Sequence, residues 1–129
     1  MSEIPENLKY AESHEWLRIE EDETATVGIS DYAQQSLGDI VFVELPEIGQ
    51  QFTATDQVSV VESVKAASDI LSPATGEVIA INDSLVDTPE IINTSPYQDG
   101  WLFKLKLTGD INSDLLTAKQ YAEIIAEED

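Results

Sequence analysis

The apolar residues of this chain fall in short alternating runs, cut at close intervals by glycine and proline. Successive side chains of a strand point to opposite faces, so such runs fit half-buried strands and not long helices. The clearest is Trp101-Leu102-Phe103-Lys104-Leu105-Lys106-Leu107. It predicts Trp101, Phe103, Leu105 and Leu107 facing inward, with Lys104 and Lys106 outward. Residues 16–19 and 24–29 can pair across the acidic turn at 20–23. Residues 40–45 read as a strand, ended by Pro46 and Gly49. Residues 57–64 alternate, with Val58, Val60 and Val64 on one face. Glu62 shares that face, so the pattern is expected to break near the tip, where the chain turns. Residues 72–76 read as a turn and 77–81 as a further strand. Many short strands joined by Gly/Pro turns predict a mainly β fold, a flattened barrel or sandwich.

Two helices are expected beside the strands. Ser30 reads as an N-cap and Gly38 as a C′ glycine, with Ala33 and Leu37 at helical spacing between them. Thr117 and Gln120 match a capping box, and Tyr121, Ile124 and Ile125 then form the apolar stripe of a C-terminal helix. Glu127-Glu128-Asp129 sets negative charge at the wrong end of that helix dipole, so its last turn is expected to fray. Residues 82–100 form a long polar stretch, in which Pro89-Glu90-Ile91-Ile92 fits a helical turn. A length of 129 residues fits one domain, residues 1–129.

A net charge of −20 repels phosphate backbones and anionic membrane surfaces, which excludes nucleic acid and membrane as partners. Basic protein surfaces would be attracted instead. No stretch approaches the ~18 apolar residues of a membrane span. The N-terminus has no basic n-region and no arginine-rich transit pattern, so a bacterial cytoplasmic protein is expected. Without cysteine there are no disulfides, zinc thiolates or cysteine nucleophiles. His14, the only histidine, has no second histidine or triad beside it, so a metal site is not expected. A structural role next to Trp16 is the better reading. The glycines form no phosphate-binding loop. Tyr32 and Trp101 read as core aromatics.

Against this background Lys65 stands out. It is the only basic residue between Arg18 and Lys104, a stretch that holds sixteen acidic ones. It lies between two strand-like segments, with small neighbours in Ser63, Ala66, Ala67 and Ser68. That setting displays an accessible amine on a rigid scaffold. The flexible four-carbon stem suits an amide-linked tether. A carrier of a covalently attached group follows more readily than an enzyme, because no paired carboxylates or activated nucleophile emerge.

The segment Glu62-Ser63-Val64-Lys65-Ala66-Ala67-Ser68-Asp69 resembles the lipoyl-lysine motif of the glycine cleavage H-protein family. Further matching blocks run along nearly the whole chain. They are Leu8-Lys9-Tyr10, Ser13-His14-Glu15-Trp16, Val27-Gly28-Ile29-Ser30-Asp31 and residues 37–46. Ser72-Pro73, Gly76-Glu77-Val78, Asn93-Thr94-Ser95-Pro96-Tyr97 and Gly100-Trp101 follow. The resemblance implies a fold of the lipoyl-carrier type, monomeric, with lipoate amide-linked to Lys65. It implies a non-catalytic carrier that takes the aminomethyl group of glycine from a pyridoxal-phosphate glycine decarboxylase. The carrier would deliver it to a tetrahydrofolate-dependent aminomethyltransferase. Dihydrolipoyl dehydrogenase would reoxidise the arm, and a lipoylating enzyme would attach it.

On the same resemblance, Ser13 and Glu15 are candidates for a cleft that shelters the arm, with Asp69 near its base. A carboxylate there could hold an ammonium group by a charge-assisted hydrogen bond. Glu62, three residues before Lys65, is a candidate handle for the lipoylating enzyme. For each, the bland alternative is a turn cap or a solvated charge. A biotin carrier is disfavoured, because Val64 and Ala66 stand where its motif has methionine. A lipoyl domain of a 2-oxo acid dehydrogenase is disfavoured by Val64 before the lysine and by the lack of flexible linkers. An unmodified interaction protein on the same scaffold, or one that relays lipoate to other complexes, is left open.

Overall fold

The computed structural model describes residues 4–111 and 115–128. In chain order the elements are β1 (Lys9–Tyr10), β2 (Glu15–Ile19), β3 (Thr24–Ile29), α1 (Asp31–Leu37), β4 (Ile40–Glu44), β5 (Gln51–Phe52) and β6 (Gln57–Ser63). Then come β7 (Ala67–Leu71), β8 (Ala74–Ile81), α2 (Ser84–Asp87), α3 (Ile91–Thr94), β9 (Phe103–Ile111) and α4 (Ala118–Glu128). The strands form two antiparallel sheets, one ordered β1-β2-β3-β9-β8-β5 and the other β4-β6-β7. Mainly β architecture with a short internal helix and a C-terminal helix is therefore what the chain adopts.

Each sheet turns an apolar face to the other. Leu17, Val27, Ile29, Phe103, Leu105 and Val78 meet Ile40, Val43, Val61 and Ile70 in one buried cluster. Burying each such side chain stabilises the fold by roughly 1.5–3 kcal/mol before the entropy of ordering is counted. A second cluster covers the other side of β2. There Trp16 packs with Tyr10, Tyr97, Tyr121 and Ile125, so α4 seals that face. The indole nitrogen donates to the Pro96 carbonyl at 3.0 Å. Gly28 lies across from Trp16, and a Cβ there would meet the indole at 2.6 Å, so only glycine lets the ring lie flat on β3.

The capping signals hold. The Ser30 hydroxyl accepts from the Ala33 amide at 3.1 Å, and Gly38 ends α1 at φ 82°. Thr117 and Gln120 exchange side-chain-to-backbone hydrogen bonds at 3.0 and 3.2 Å, and Tyr121 and Ile125 are buried beneath α4. Of the expected frayed end, Asp129 lies outside the described residues. Residues 82–100 contain two helical turns, α2 and α3, which insert Leu85 and Ile92 into the core.

Three expectations need correction. In β6 the buried residues are Ser59 and Val61, not the Val58–Val60–Val64 face. Val58 falls within a register irregularity between Gln57 and Ser59 and packs against the core there, while beyond it the regular pairing buries Ser59 and Val61. Val64 lies past the strand end, exposed. Residues 74–76 belong to β8 and not to a turn. A Cβ on Gly76 would stand 2.5 Å from the Lys106 carbonyl oxygen, so this glycine serves a close strand approach. Finally, Leu102 is buried although alternation points it outward. β9 starts only at Phe103, and Leu102 is drawn in by bonding Val27 and Asn82 through its backbone.

Candidate functional site

β6 and β7 form a hairpin whose turn carries Lys65. Ser63 organises that turn. Its hydroxyl accepts from the amides of Lys65 and Ala66, both at 3.1 Å, while its own amide donates to the Ala66 carbonyl at 2.8 Å. The Val64 amide donates to the Asp39 carbonyl at 3.1 Å, which ties the tip to the chain leaving α1. Lys65 itself is exposed. Its Cδ lies 3.6 Å from where a Cβ on Gly38 would be, so the stem starts out along the end of α1. Asn93 of α3 fixes this junction: its amide donates to the Gly38 carbonyl and to Gln34 Oε1, and its oxygen accepts from the Ile40 amide, all at 2.9 Å.

Alongside α1 runs a groove of about 270 Å³, lined among others by Ser13, His14, Tyr32, Leu37, Ser68 and Ile70. It extends from Leu37, next to Gly38, back to Tyr32, about 7.5 Å of helix rise. Its walls are apolar along Ile29, Ala33, Leu37 and Ile70, and polar at the Ser13–His14 end.

Glu15 lies behind Ser13 and is fully buried. Its Oε1 accepts from the Ser13 hydroxyl, and its Oε2 accepts from the Leu71 amide at 3.0 Å. Burial raises the Glu15 pKa above the ordinary 4.5, against the lowering pull of the Ser13 hydroxyl, the Leu71 amide and its own backbone. Ser13 thus connects the groove to a buried carboxylate.

The structure brings Ser13 and Glu15 together but leaves Asp69 elsewhere. Strand alternation in β7 turns Ser68 and Ile70 into the groove, so Asp69 faces the other way, accepting from the Gln57 amide group at 3.1 Å. Glu62 also lies on that outer side, paired across the sheet with Phe42 and Ala67.

His14 lies at the polar end of the groove. Its ring is 5.1 Å from Tyr32, and its Nδ1 is 2.7 Å from the Tyr121 hydroxyl, which in turn is 2.6 Å from Ser30 Oγ. His14 thus joins the groove wall to α4 through Tyr121, a member of the buried cluster that holds Trp16. It holds φ 80°, fixed by its amide to Ala11 and its carbonyl to Ser30. Tyr32 packs, partly buried, against the Trp16–Tyr121 cluster as expected, and also lines the groove. The signal was present in α1: Tyr32 and Ser36, and Ala33 and Leu37, are pairs four residues apart on one helix face.

This is a two-sheet β protein that holds a single lysine on a pinned hairpin, beside a groove lined by Ser13, whose hydroxyl is bonded to the buried Glu15. The glycine cleavage H-protein family model matches residues 8–128. A glycine cleavage system H protein of Psychrobacter sp. (strain PRwf-1) is 57% identical over 122 residues, covering 94% of this chain and 97% of that protein. One from Alcanivorax borkumensis is 58% identical over 130 residues, covering 99% of this chain and 100% of that protein. The crystal structure of a glycine cleavage system H protein from Mycobacterium marinum superposes with a TM-score of 0.90 at 39% identity, covering 95% of this chain and 99% of that one. The chain belongs to the glycine cleavage H-protein family. No described helix is long and apolar enough to cross a membrane.

Proposed function

We propose that this chain is the lipoyl carrier of a glycine cleavage system, acting as one unit and as a monomer, without catalysis of its own. Lipoate on Lys65 would supply the reactive disulfide that collects the aminomethyl group of glycine from the decarboxylase for delivery to the aminomethyltransferase. Dihydrolipoyl dehydrogenase and a lipoylating enzyme complete the set of partners.

The observation that carries this reading is the continuity of Lys65, Gly38 and the groove. The lysine stem leaves along Gly38, whose φ of 82° is a conformation that side-chain-bearing residues rarely adopt. The groove opens next to Leu37 and has apolar walls suited to a hydrocarbon arm. At its far end Ser13 and Glu15 form a hydroxyl–carboxylate pair that can hold a protonated amine. Ile29, Ala33 and Ile70 give the groove an apolar wall along the arm's path.

Exchange of labelled bicarbonate into glycine, with glycine decarboxylase present, tests the reading. Exchange is expected with the lipoate-charged chain and lost in Lys65→Arg, which keeps the charge but cannot form the amide. Equal exchange with Lys65→Arg would remove Lys65 from the function.

A further inference from the structure

The outer face of the β4-β6-β7 sheet takes no part in the groove. Cross-strand register defines it. Phe42, Glu62 and Ala67 form one row, and Glu44, Val60 and Asp69 form another. The row between them, Val43, Val61 and Ser68, points inward, with Val43 and Val61 buried and Ser68 in the groove wall. Phe42 is left 51% exposed on an edge strand. A register irregularity between Ile40 and Phe42 leaves Val41 54% exposed as well, where regular alternation would bury one of the two. Val64, at the tip beside Lys65, is 67% exposed. Large apolar side chains grouped on an open face mark an interaction surface.

The rim of this face is acidic. Glu44, Glu62 and Asp69 flank Phe42 and Val60, and among the described residues none of the three forms an ion pair. Lys65 is the only cation of the hairpin, and its charge disappears when an amide forms.

We propose that this face is the docking surface for the enzyme that acylates Lys65. The partner's complementary patch is an apolar hollow for Phe42, ringed by lysine or arginine. The inference rests on the carrier reading of Lys65. Three observations commit the face to this occupant. The row Phe42–Glu62–Ala67 borders the turn that carries Lys65, so an enzyme seated there is within reach of the amine. The unpaired carboxylates call for a basic partner, which also discourages a second copy of this acidic chain. The face lies on the opposite side of the sheet from the groove, so the amine is approached where the chain does not enclose it. In the step served, the neutral Lys65 amine attacks the carbonyl of an acyl adenylate. The C–N bond forms and the C–O bond to phosphate breaks. The adenylate leaves with the electron pair, and the amine's proton passes to solvent.

The test uses a lipoate ligase with ATP, lipoate and the unmodified full chain, with initial rates followed by intact mass. Phe42→Ser is expected to raise the KM for the chain about tenfold, the usual scale for an interface anchor, with kcat unchanged. Phe42 is half exposed, so the variant should fold, as its urea midpoint would verify. The double variant Glu44→Gln, Asp69→Asn leaves the apolar packing alone. It is expected to raise KM at low salt and to flatten its salt dependence. An unchanged KM in both variants, or a change confined to kcat, overturns the docking surface and leaves the carrier reading standing. A wild-type chain that gains no lipoyl mass at Lys65 overturns the carrier reading and the docking surface with it.

Discussion

Glu15 offers a prediction about stability and its dependence on pH. The carboxylate is fully buried and accepts from the Leu71 amide and the Ser13 hydroxyl. In Glu15→Ala the Leu71 N–H loses its acceptor, at a cost of about 1–3 kcal/mol. The lost side chain also leaves a void of roughly 50 Å³, worth about 1 kcal/mol at the usual cavity coefficient. Relief from holding a carboxylate out of water offsets part of this, so a net loss of about 2–3 kcal/mol is expected. Glu15→Gln keeps the shape and an oxygen for Leu71 without the charge. Its pH behaviour is then the sharper test. The folded pKa of Glu15 is raised above 4.5, chiefly by desolvation, so the folded state binds more protons in that window. The stability this group contributes is fully present below the unfolded value and is lost as pH rises through the folded pKa. Urea unfolding of wild type and Glu15→Gln from acid to neutral pH isolates this effect from the many surface carboxylates. The wild type should lose stability relative to Glu15→Gln as pH rises. A flat difference curve, or a Glu15→Ala loss under about 1 kcal/mol, would refute the reasoning.

Other sites give simpler outcomes. Gly76→Ala forces a Cβ to 2.5 Å from a backbone oxygen of β9, which cannot give way cheaply, so a loss of about 1–3 kcal/mol is expected in urea unfolding. Thr117→Ala removes one half of the α4 capping box and should cost about 1 kcal/mol in the same assay. Tyr121→Phe deletes the hydroxyl shared by His14 and Ser30, at an expected cost of about 1–3 kcal/mol. The His14 ring resonances should shift with it, because Tyr121 joins α4 to the groove wall.

Much of the fold was legible because local signals and tertiary demands agree. The hairpin of β2 and β3, the caps of α1 and the α4 capping box all rest on residues close in sequence. The lysine turn was legible for the same reason. What was not legible depends on pairing. The parity of β6 and the exposure of both Val41 and Phe42 follow from irregularities in register, which periodicity alone does not reveal. Gly76 reads as a turn until β9 lies against it. The His14 contact with Tyr121 spans 107 residues, and no local pattern announces it. The resemblance puts Asp69 near the base of the arm. The two-residue period of β7 gives the groove wall to Ser68.

The central claim is that Lys65 carries lipoate. Intact mass of the protein purified from its own cells, with peptide mapping across residues 62–69, tests it most directly. The account predicts a single lipoyl amide, on Lys65. Biotin at that position, or a bare Lys65 in cells whose other carrier proteins are lipoylated, would contradict it.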